Sequence, residues 1–149
     1  DYTHLPTGPP ALLVGHEANL AIEASADCVG LCYIRKRNTP ENLVQNLTSG
    51  AATLLQAAQM LESDSEAVVD GNFTFKTNRL VFSPNDRLLA PNTPAIAKIL
   101  EETLQIFGEQ LHGTKSVSIT SQNTGGQPSF AITSQSGVSL ENLLKNLSS

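Results

Sequence analysis

What most constrains this chain is the way its apolar residues change period. Two long stretches place apolar residues every three to four positions, while the short stretches around them alternate every second position. Leu43, Val44, Leu47, Ala51, Leu54, Leu55, Ala58 and Leu61 hold one helical stripe, which ends near Ser63. Ile96, Ile99, Leu100, Leu104, Phe107 and Leu111 hold a second. Both carry a start signal, Thr39-Pro40 and Thr93-Pro94: the hydroxyl can accept from a free helix amide, and proline suits a first turn where its missing N–H is not needed. Gly113 supplies an end for the second helix.

The alternating stretches read as hairpins. In residues 11–22, Leu12 and Val14, then Leu20 and Ile22, are expected on one face, and Val29, Leu31 and Tyr33 continue the pattern. Residues 72–76, with Phe73 and Phe75 aligned, and 79–83, with Leu80 and Phe82 aligned, predict a second hairpin turning at Thr77-Asn78. Residues 115–122, with Val117 and Ile119 inward, and 129–134, with Phe130 and Ile132 inward, predict a third around Asn123-Thr124-Gly125-Gly126. Ser139 then caps a short helix carrying Leu140, Leu143, Leu144 and Leu147. The order is strand-strand-helix three times over, which makes an α+β domain of antiparallel hairpins and three helices. Short linkers argue for a single domain over residues 1–149. Glu41-Asn42-Leu43 with Asn46-Leu47 recurs as Glu141-Asn142-Leu143 with Asn146-Leu147, which suggests internal pseudo-repetition. Because Asp1 rather than Met stands first, a further N-terminal element is expected.

Charge and composition narrow the function. Nine Lys and Arg against fourteen Asp and Glu give a net charge of −5, the wrong sign for neutralising phosphates, so no nucleic-acid partner is expected. No run of about 18 apolar residues is present, so no membrane partner is expected either. Without a basic-then-apolar leader in this sequence, a cytoplasmic protein is expected. Cys28 and Cys32, four apart on one predicted strand, would stand about 13 Å from each other and could not bridge. The sequence lacks CxxC, G-x-S-x-G, H-E-x-x-H, an EF-hand loop and G-x-G-x-x-G, so no cofactor is expected. Asn46-Leu47-Thr48, Asn72-Phe73-Thr74 and Asn146-Leu147-Ser148 match glycosylation sequons, which carry no weight without a leader.

Three groups of residues could carry chemistry. His4 in the polar opening and His16 in the turn Gly15-His16-Glu17-Ala18-Asn19 are candidate metal ligands, with Glu17 as a candidate acid or base. His16 and Glu17 are adjacent and would diverge on a regular strand, so they could act together only on a turn or bulge; otherwise they mark a hydrogen-bonded turn. Asp86 and Arg87, on a loop before the second helix, could join them in one ligand cleft or form an internal pair or Asx-turn. Arg35, Lys36 and Arg37 precede Thr39 at a predicted helix start, where free amides and the positive dipole end favour an anion or nucleotide; the alternative is a charged strand end.

The segments 1–9 and 15–18, Gly30-Leu31-Cys32-Tyr33-Ile34-Arg35-Lys36, and Asn85-Asp86-Arg87-Leu88-Leu89-Ala90-Pro91-Asn92 resemble a small bacterial domain family with cyanobacterial members. The resemblance implies residues before Asp1 that form another strand, and it transfers no activity and no active site.

Catalytic spacing is therefore absent, and apolar strand area is plentiful for one small domain. The expected function is a non-catalytic binding or assembly module, acting through self-association as a homo-oligomer or through a protein partner. The alternatives are a small enzyme or a ligand or metal sensor built on His4, His16, Glu17, Asp86 and Arg87, and an anion site at Arg35, Lys36, Arg37 and Thr39.

Overall fold

The computed structural model describes residues 11–24, 29–37, 42–64, 74–86, 90–122 and 128–148, and divides the chain into two compact units, Asp1–Phe75 and Lys76–Ser149. Among the described residues, three helices and two small antiparallel sheets make it α+β, as the change of period predicts.

In the first unit, β1 (Ala11–Val14), β2 (Ala18–Ala24) and β3 (Val29–Arg35) form one sheet in the order β1-β2-β3, followed by α1 (Leu43–Ser63). Residues 11–22 are thus two strands, folded back at a turn closed by Gly15 N–H donating to the Ala18 carbonyl at 3.0 Å. The reversal corrects the expected facing. Leu12 stands opposite Ala21 and Leu13 opposite Leu20, so each even-numbered residue pairs with an odd-numbered one. Directly opposed residues share a face. Leu20 and Ile22 therefore share theirs with Leu13, Leu31 and Tyr33, while Leu12 and Val14 take the other.

α1 begins later than Thr39-Pro40 suggests. Asn42 is its N-cap, accepting from Gln45 N–H, and the Gln45 side chain accepts from Asn42 N–H, a reciprocal capping box that satisfies two end amides. The helix runs to Ser63, where its stripe ends. It packs on β3, with Gly50 buried against the Tyr33 ring. The buried residues of α1 are Gly50, Ala51 and Ala58, all small, and Ala21 is the buried apolar residue of the sheet.

In the second unit, β4 (Arg79–Phe82), α2 (Pro94–His112), β5 (Val117–Ser121), β6 (Phe130–Ser134) and α3 (Leu140–Leu147) build a sheet in the order β4-β6-β5 with two helices. The expected partner of β4 is corrected here: β4 pairs with β6, and residues 74–76 are not strand. Thr77 and Asn78 do turn, and the Asn78 carbonyl accepts from Ser134 N–H. The strand-strand-helix order consequently fits only loosely, with three strands before α1 and one before α2 among the described residues. The β5–β6 hairpin forms as predicted, with Val117 opposite Ser134 and Ile119 opposite Ile132.

Leu100, Leu104, Phe107 and Leu111 of α2 are buried together with Phe130 and Ile132 of the sheet and Leu140, Leu143 and Leu147 of α3. Caps match the sequence reading at three ends: Thr93 with Pro94 behind it, Gly113 at φ 64°, and Ser139 accepting from Asn142 N–H. Asn42 is a cap whereas Asn142 lies inside α3, so the recurring Glu-Asn-Leu occupies two different helical registers. No helix among the described residues is long and apolar enough to cross a membrane.

Candidate functional site

The β1–β2 turn brings His16 and Glu17 together, as a turn there allows. Nε2 of His16 stands 3.4 Å from Oε1 of Glu17, and both side chains are mostly exposed. Such a pair in water is worth ~0–1 kcal/mol and orients little. Lys36 secures the same turn from β3: its N–H donates to the Glu17 carbonyl at 2.9 Å, and its ammonium donates to the Gly15 carbonyl at 2.8 Å.

Arg35 points the other way, onto α1. Its guanidinium donates to Oδ1 of Asn46 and, at 3.1 Å, to Oγ of Ser49. Two of the three clustered cations thus hold the sheet to its own turn and helix, and Arg37 is exposed beyond β3. Asp86, half-buried in the second unit, accepts at its backbone carbonyl from Ala90 N–H at 2.9 Å. His4, Thr39 and Arg87 lie outside the described residues. Among the described residues no three His, Cys, Asp or Glu side chains stand together as metal ligands.

Cys32, on β3, is a free thiol pushed up to about 11 by burial and by the charge and hydrogen bonding of nearby Glu23. It is a poor nucleophile at neutral pH, since the thiolate is the reactive form. Cys28 lies outside the described residues.

The feature that sequence reading underweighted is β1 itself. Leu12, Leu13 and Val14 are 46%, 68% and 64% exposed, a row of large aliphatic side chains on an edge strand. Since Gly15 bonds Ala18 across the hairpin, the ladder alternation directs the backbone groups of Ala11 and Leu13 toward β2 and those of Leu12 and Val14 outward. Among the described residues no strand pairs with that outer edge. The signal was present in the sequence: three apolar residues in succession make both faces of a strand apolar, whereas a half-solvated strand alternates.

No family model matches the chain, and no curated protein or solved structure is significantly similar to it.

Proposed function

We propose that this chain is a non-catalytic assembly module that extends its first sheet by pairing β1 with β1 of a second copy. The observation that carries the reading is the apolar, outward-bonding edge of β1, with Leu13 and Val14 each about two-thirds exposed. An open, apolar edge is a template for another strand. An antiparallel pair of identical strands is self-complementary, so a two-fold dimer covers the β1 edge of both copies at once. Burial in the same unit supports the reading. Its described buried residues are Ala21, Gly50, Ala51 and Ala58, while the larger apolar side chains of the sheet and α1 remain half-exposed or exposed. A reducing, cytoplasmic setting suits the free Cys32 thiol.

Sedimentation equilibrium over a concentration series tests this. The wild type is expected to be a dimer, and two edge variants to be monomers with unchanged far-ultraviolet circular dichroism. Leu13→Lys places a charge on the edge, and Val14→Pro removes an outward N–H without touching the β1–β2 ladder. A wild type that stays monomeric at high concentration, or edge variants that dimerise like the wild type, would overturn the assignment.

A further inference from the structure

The outer edge of β5 is a different surface, in the second unit, and its chemistry is specific. Gln122 N–H donates to the Ser129 carbonyl, which fixes the alternation along the β5–β6 ladder. Ser118 and Thr120 therefore bond to β6, and the backbone groups of Val117, Ile119 and Ser121 point outward. The helix α2 flanks that edge. Nε2 of Gln105 donates to the Val117 carbonyl at 3.2 Å while also donating to Glu109 Oε1 at 2.8 Å, so one end of the edge is already closed by a helix side chain. Beyond it the outward groups of Ile119 and Ser121 have no strand partner among the described residues.

A shallow groove lies over this open stretch, lined by Glu101, Glu102, Gln105, Ile106 and Ile119. Ile106 is 62% exposed and Ile119 half-buried, which gives an apolar floor and wall. Glu101 and Glu102 are exposed on the rim. Lys98 stands 4.0 Å from Glu102 as an exposed i,i+4 pair, too weak to neutralise two carboxylates.

We infer that this groove binds an extended peptide segment of another protein, one with an aliphatic and a basic side chain two residues apart, as an added strand on β5. Strand addition draws affinity from main-chain hydrogen bonds and specificity from alternate side chains. The aliphatic residue faces Ile119 and Ile106, the cation on the same face reaches Glu101 and Glu102, and the intervening residues face the solvent side beside Ser118 and Thr120. Two adjacent carboxylates select a cation and repel an acidic segment.

The probe is the fluorescein-labelled peptide Thr-Ile-Thr-Lys-Thr, titrated against the full chain by fluorescence anisotropy. Saturable binding is expected, weakened at least about tenfold by replacing the peptide lysine with glutamate or by the double variant Glu101→Lys/Glu102→Lys, and weakened by added salt. Methylating the backbone nitrogens of the peptide is expected to abolish binding, because a strand needs its N–H groups. In a nitrogen-15 correlation spectrum the amides of Ile119 and Ser121 should shift on titration. Absence of saturable binding overturns the inference, as does binding that ignores both the charge reversal and backbone methylation, or amide shifts that leave β5 unmoved. The carboxylates are exposed, so the double variant keeps its fold and a loss of binding reads on the groove.

Discussion

Gly108 of α2 lies so close to Ile132 of β6 that a methyl group on it would stand 2.9 Å from Ile132 Cγ2, and equally 2.9 Å from Val117 Cγ1. Both neighbours are buried and branched, with little freedom to move aside. The absence of a side chain at this position sets how near the helix sits to the sheet.

Gly108→Ala is accordingly expected to destabilise the protein. Alanine favours a helix interior by about 1 kcal/mol over glycine, but overpacking a close-packed core costs about 1–3 kcal/mol. A net loss of up to about 2 kcal/mol should appear as a lower urea midpoint. A variant more stable than the wild type would show that α2 can lift away from β5 and β6 without loss.

His112 gives the second unit a pH dependence. It is 4% exposed, and neither ring nitrogen has a hydrogen-bond partner among the described residues. Burial holds its pKa below the ordinary 6.5, so the folded state prefers neutral imidazole. The unfolded chain then takes up a proton at a higher pH than the folded one. Stability from this group is full above about 6.5 and is lost as the pH falls below it toward the folded value. Thermal midpoints between about pH 7.5 and 5.5 should decline for the wild type and flatten for His112→Leu, which keeps the apolar packing and removes the titration. An equal slope in both proteins would remove His112 as the cause.

Arg35 separates internal tethering from anion binding. Its hydrogen bonds to Asn46 and Ser49 fasten β3 to α1, so Arg35→Ser is expected to cost about 1 kcal/mol in buffer free of phosphate. Arg37→Ser, at an exposed position, should stay within about 0.5 kcal/mol of the wild type. The anion reading requires a different pattern, stabilisation by added phosphate that vanishes in the double variant. Urea melts of the wild type, the two single variants and the double variant, with and without phosphate, decide between them.

The parts of this protein that its sequence determined are those written locally. The stripe from Leu43 to Leu61 and the stripe from Ile96 to Leu111 specify two helices because side chains three and four residues apart meet on one face of the same element. Thr93, Pro94, Gly113 and Ser139 mark helix ends because a cap acts on amides and carbonyls within a few residues of itself. The β5–β6 hairpin was legible for the same reason, its two strands being near neighbours with inward residues already in phase.

Tertiary structure decided what depends on distant partners. Period-2 alternation says that residues 79–83 form a strand and nothing about which strand it joins, and β4 found β6 some fifty residues on. The turn at Gly15 inverted the facing of Leu12 and Val14 relative to Leu20 and Ile22, because a reversal by one residue exchanges every side chain between faces. Arg35 and Lys36 looked alike in sequence, but the ladder sends one guanidinium onto α1 and the other side chain back to the β1–β2 turn. The edge of β1 with its aliphatic row and the edge of β5 beside Glu101 and Glu102 exist only once the strands have chosen their order in the sheets. An edge is defined by the neighbour that a strand lacks, and no local pattern encodes that.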